Sequence, residues 1–156
     1  MTRSGLFVAA ASAALFSAGE AIAFDGDALR ERFTTAFNGR DWASVRAMLA
    51  DDVVFHRATG DTVFIGPDAV IARWEETIGN PGQWNVKFAI LDGDSTFTGK
   101  DGRVVERGDF AVTAGGDDSA CYRGFYLMTW MPDGDDWKLQ MMGWQDVETD
   151  LGDCKA

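Results

Sequence analysis

Residues 27–55, DALRERFTTAFNGRDWASVRAMLADDVVF, decide the fold. Leu29, Phe33, Ala36 and Phe37 recur at three- and four-residue spacing with Arg30, Glu31 and Arg32 between them, which describes an amphipathic helix capped by Asp27. Asn38-Gly39 ends it. Asp41 then caps a second, shorter helix whose apolar face is Trp42, Val45, Met48 and Leu49, closed by Asp51-Asp52. The two helices form a hairpin, and the β-branched and aromatic run Val53 to Phe55 that follows reads as a strand.

Downstream, Thr62 to Ile65 is a second short strand after a Thr59-Gly60-Asp61 turn, and Gly66-Pro67-Asp68 opens a third helix with proline in its first turn. Val70, Ile71, Trp74 and Ile78 share one face of that helix, and Gly79-Asn80-Pro81-Gly82 stops it. Beyond Gln83 the chain reads as strand throughout. The expected strands are 84–91, turned by Asp92-Gly93-Asp94, then 96–98, 104–113, 120–131 and, after a Pro132-Asp133-Gly134 hairpin turn, 137–147. The predicted class is α+β: three N-terminal helices packed on a curved, mostly antiparallel sheet that forms a cone, with residues 24–156 as one domain.

Upstream, Arg3, an apolar run from Leu6 to Ala18 and the Ala21-Ile22-Ala23 exit have the three parts of a secretory signal peptide, so residues 1–23 are expected to be removed and the mature chain to be periplasmic or secreted. Export favours a disulfide between the two cysteines, Cys121 and Cys154. Counting outward from the last hairpin with Trp130 opposite about Lys138 brings Cys121 opposite about Val147, a short tail away from Cys154. The 156 residues are 46% hydrophobic, enough for a real core, and their formal charge of -11 repels a phosphate backbone. Nucleic acid is therefore excluded as a partner, and no apolar run reaches the roughly 20 residues that span a bilayer, so no membrane association is expected after cleavage.

Three segments carry a family resemblance: Asn38-Gly39-Arg40-Asp41-Trp42, Met48-Leu49-Ala50-Asp51-Asp52-Val53 and Gly66-Pro67-Asp68-Ala69-Val70. Together with Glu106 to Phe110, Arg123 to Trp130 and Asp136 to Leu139, they resemble the SnoaL-like proteins of the nuclear-transport-factor-2-like superfamily, over roughly Asp27 to Val147. The resemblance implies the cone fold. Its superfamily holds isomerases, cyclases, hydratases and non-catalytic assembly modules, so chemistry has to be argued from the site. Ketosteroid isomerases in that superfamily use an Asp base and a Tyr oxyanion donor. On this chain the matching positions are Arg57 and Phe33, which supply neither function. No ketosteroid-isomerase turnover is expected, and an assay with an unsaturated ketosteroid checks it.

The candidate catalytic groups are His56, Asp61 and Glu106. His56 is the only histidine and pairs with Asp61 in an acid–base reading, although a hydrogen-bonded histidine at a strand end fits the same residue. Glu106 shares the parity of Val104, Phe110 and Val112 on its strand, whereas Arg107 and Asp109 take the opposite face with Val105 and Ala111. A carboxylate on the apolar face needs a partner if buried, with Arg57 or Arg123 the candidates, although an exposed glutamate at a sheet edge fits the same residue. Arg57, Tyr126 and Trp144 are the expected ligand-binding side chains, backed by Met128 and Met142, while Trp74 and Trp137 read as packing between helix and sheet. One histidine and no cysteine pair at ligand spacing give no metal site, and no dinucleotide fingerprint or true P-loop implies a cofactor. The expected function is binding of a small, largely apolar molecule, with isomerase-, lyase- or hydrolase-like acid–base chemistry. The alternative is a non-catalytic dimerising or partner-binding module, and a homodimer is expected.

Overall fold

A computed structural model describes residues 23–57, 62–78, 87–114 and 120–148. Helix α1 spans Gly26–Asn38, and its cap is Asp25, whose carboxylate accepts from the Ala28 amide at 3.1 Å; Asp27 lies within the first turn. Asp27 was the expected cap, but Asp25 stands at the helix boundary with the same side chain. Arg40 takes a left-handed conformation, φ 55°, after Gly39 to turn the chain into α2, Trp42–Met48, where Asp41 caps through the Ser44 amide and hydroxyl. That hydroxyl holds the exposed Asp41 carboxyl below its usual range. Leu49 does not belong to this helix. It opens β1, Leu49–Arg57, which runs into β2, Val63–Ile65, and then α3, Pro67–Ile78.

The rest of the sheet is β3 (Lys87–Thr98), β4 (Val104–Ala114), β5 (Ala120–Asp133) and β6 (Asp136–Glu148). Where Asp92-Gly93-Asp94 reads as a turn, β3 continues and the pairing with β4 only shifts register, so the Asp-Gly cluster is absorbed as a bulge. The six strands lie in the order β2-β1-β6-β5-β4-β3. All neighbours are antiparallel except β1 and β6, which run parallel. Gly134, φ 58°, makes the β5–β6 turn, and Trp130 pairs with Leu139 rather than Lys138. Two further register shifts bring Arg123 opposite Glu148, so Cys121 passes the end of β6 instead of facing Val147. The Cys121 side chain and Cys154 lie outside the described residues.

The helices bury their apolar stripes on one face of the sheet. Trp74 of α3 is the hub, with ring centroids 5.9 Å from Phe33, 5.3 Å from Phe37, 5.4 Å from Phe55 and 6.3 Å from Trp144. Trp74 and Trp137 are both buried, as expected of packing residues. Phe110 packs across the backbone of Gly124, where a β-carbon would lie 2.7 Å from the ring and 2.2 Å from the Gln145 carbonyl oxygen. Gly124→Ala is therefore expected to destabilise by about 1–3 kcal/mol, read from urea unfolding.

Arg32 of α1 ties the helix to the start of β6 through Asp136, at 3.1 Å. Burial pushes the Asp136 carboxyl up, but hydrogen bonds from the Trp137 amide and Arg32, with the charges of Arg32 and Lys138, outweigh it and hold the carboxyl below its usual range. A lowered folded value means this contribution is present in full above the ordinary carboxylate range and is lost as pH falls through the lowered value. Asp136→Asn is expected to shrink the loss of stability between pH 5 and pH 3, measured by urea midpoints.

Candidate functional site

Strand parity places Glu106 on the inner face of β4, and the structure buries it completely, with 0% of it exposed, level with Met128 and Met142. It is the one buried charged residue among the described residues. Three donors from two elements converge on its carboxylate. Arg30 of α1 forms an ion pair with Oε1, the Tyr126 hydroxyl donates to the same oxygen at 3.2 Å, and Trp130 Nε1 donates to Oε2 at 3.1 Å. Gly108 faces Tyr126 across the β4–β5 ladder and brings no side chain to this surface. A carboxylate offers about four acceptor positions, and these donors occupy three, leaving one on Oε2.

Arg30, not Arg57 or Arg123, is therefore the cation on Glu106. The guanidinium also pairs with Asp27, so the side chain runs from an exposed carboxylate at the helix start to the buried one in the core. A signal for it exists in the sequence: Arg30 precedes Phe33 by three residues and Phe37 by seven, which puts it on the apolar stripe rather than opposite to it. Trp130 also belongs to the site unexpectedly. Its Nε1 would otherwise be an unsatisfied donor in the core, and Glu106 is its acceptor.

Tyr126, Met128 and Met142 are buried on the inner face beside this carboxylate. Trp144 follows them, packed among Phe37, Phe55, Trp74 and Phe110. Of those five rings Trp144 alone is half-buried; the other four are buried. His56 stands elsewhere. It is exposed on the outer face of β1, where it lines a shallow groove with Arg107, Phe125 and Gln145, so the structure does not bring it to Glu106. Asp61 lies outside the described residues. Arg57 is exposed at the end of β1, level with Trp144, and Phe33 is sealed in the core. Among the described residues no three His, Cys, Asp or Glu side chains gather as metal ligands would.

An α+β sheet with helices across one face and a polar group inside defines a fold class, and the sequence assigns the branch. Residues 30–148 match the SnoaL-like domain family, and the chain belongs to it. The solved structures it resembles include an NTF2-like protein of unknown function from Pseudomonas putida, 24% identical, covering 81% of this chain and 92% of that one, with a TM-score of 0.64. ActVI-ORFA from Streptomyces coelicolor is 13% identical over 76% of this chain and 92% of its own, with a TM-score of 0.67. Aln2 from a Streptomyces species is 18% identical over 76% and 86%, also at 0.67. At these identities the likeness is one of fold. No curated protein matches the sequence significantly.

Proposed function

We propose that this domain binds a small, largely apolar molecule within the cone and orients it against the Glu106 carboxylate, the group that would carry any acid–base step. The observation behind this reading is the complete burial of Glu106 under three donors drawn from α1 and β5. Folding alone does not require such a group. Taking a carboxylate and a guanidinium out of water costs several kcal/mol each, and apolar residues of the same volume generally make a core at least as stable. A buried ion pair fixed by two further hydrogen bonds is a costly feature whose use is positional, with one acceptor on Oε2 left for a ligand donor. Tyr126 and the half-buried Trp144 supply the flat apolar walls.

Naphthalene and 2-naphthol test this reading, since they differ by one hydroxyl donor. Both should quench tryptophan fluorescence and raise the Tm, because a ligand of the folded state stabilises it by mass action. 2-Naphthol should bind tighter, and Glu106→Gln should cut that preference by about tenfold, because a hydrogen bond to a charged acceptor becomes one to a neutral amide. Absence of binding by either compound, or an unchanged preference in the variant, would sink the proposal.

Export belongs to the same reading. Cleavage after Ala23 would make Phe24 the first residue, and its ring packs edge-on against Trp137 at 5.1 Å, so the folded domain would begin where the leader ends. Intact mass of exported protein is expected to match a chain starting at Phe24 less two hydrogen atoms, the pair lost when Cys121 and Cys154 form a disulfide. A mass retaining the first 23 residues, or two free thiols, counts against it.

A further inference from the structure

Glu106 stands one strand in from an edge of the sheet. Beyond β4 lies β3, whose Thr96 is directly opposite Glu106 and whose Thr98 is opposite Val104, so both threonines share the inner face with the carboxylate. Both are exposed. The boundary of the core therefore falls within one strand spacing, about 4.8 Å, between an exposed threonine and a carboxylate with no exposed surface. Arg30 stands at that boundary. It reaches Glu106 from α1, which lies against β3, and its side chain is 17% exposed.

The cover at this point is thin. No side chain from Phe24 to Ala28 is buried, since the apolar stripe of α1 begins only at Leu29. The Phe24 ring, ahead of the helix, packs on Trp137, and Gly26 lets that ring and the Arg30 guanidinium close on one spot, where a β-carbon would lie 3.0 Å from each. The guanidinium has two carboxylates, Glu106 at one nitrogen and Asp27 at the other, and the Asp27 side chain is 92% exposed. We infer that Arg30 is a latch with Phe24 as its cover: the ring rolls off Trp137, the guanidinium swings out to Asp27, and the ligand enters beside Thr96. This rests on the reading that a ligand meets Glu106. Arg30 keeps a counter-charge in both positions, and Glu106 is hydrated as it loses the guanidinium, so opening leaves no bare charge in an apolar interior. Once the ligand's donor has taken the remaining acceptor on Oε2, the guanidinium returns to Oε1 and the site is closed again. The half-buried Trp144 gives no direct path, because the buried Tyr126 and Met128 of β5 lie between it and Glu106.

Stopped-flow fluorescence of the mature chain with 2-naphthol reads this entrance. Thr96→Trp, at an exposed strand position, should slow association and dissociation alike by about tenfold and leave the equilibrium affinity within about twofold, which marks a narrowed entrance and not a lost contact. Phe24→Ala removes the hold on Trp137 and should speed both rates about tenfold. Asp27→Asn takes away the outer partner of Arg30 and should slow both about threefold. Opening is also read with no ligand present, as hydrogen exchange of the Trp130 indole proton that Glu106 holds. Phe24→Ala should speed that exchange about tenfold, followed by NMR, while the β5 and β6 amides keep their native protection. If 2-naphthol does not bind the native chain, the reading of the site fails and the exchange decides the latch by itself. Native exchange at Trp130 in Phe24→Ala, or native rates in Thr96→Trp, overturns the proposal.

Discussion

Arg30→Ala is expected to lower the unfolding free energy by about 3–5 kcal/mol, among the largest effects available in this protein, although Arg30 sits on the first helix near the surface. Removing one member of a buried ion pair leaves the other as an uncompensated charge in an apolar interior, and that penalty exceeds the worth of the pair itself. Glu106 is wholly buried, and after the change it keeps only the Tyr126 and Trp130 donors. The decisive comparison is the double variant. Arg30→Met with Glu106→Gln removes both charges and keeps both contacts, the amide oxygen accepting from Trp130 Nε1 and the amide NH2 donating to the Tyr126 hydroxyl, so most of the lost stability should return. Urea unfolding of the two variants measures it. A cost below about 1 kcal/mol for Arg30→Ala would mean that the guanidinium does not compensate Glu106.

Trp74→Ala should cost about 3–5 kcal/mol, because it empties the hub on which Phe33, Phe37, Phe55 and Trp144 converge. With a domain of this size, that corresponds to a Tm lower by on the order of 10 °C. Trp144→Ala should cost less, since Trp144 is half-buried, and should abolish the fluorescence and Tm response to 2-naphthol if it is a pocket wall. The order of the two losses carries the information. Equal destabilisation by both changes, with no ligand response in the native chain, would mean that the inner face is filled core.

Much of the architecture was legible without coordinates because it rests on local chemistry. Asp41 caps a helix whichever sheet lies beneath it, Pro67 starts one, and Gly134 turns a hairpin because it accepts positive φ at no cost. Alternation on β4 was enough to point Glu106 inward, since the period of two is a property of the extended chain itself. Local signals also misled where they compete with a ladder. Asp92-Gly93-Asp94 has turn composition, yet pairing along β4 keeps the strand running through it.

What surrounds that inward carboxylate is a different kind of fact. By sequence alone this chain determines an α+β domain, its helix boundaries to within a residue or two, and a carboxylate facing the apolar side of a strand. Only the tertiary structure decides that Arg30, 76 residues earlier, compensates it, that β1 lies parallel to β6, and that His56 faces away from Glu106. Capping, turn geometry and side-chain alternation are settled within a few residues by sterics and nearby hydrogen bonds. The partner of a buried charge and the neighbour of a strand are chosen among distant segments, by which arrangement buries the most apolar surface while leaving no polar group unpaired.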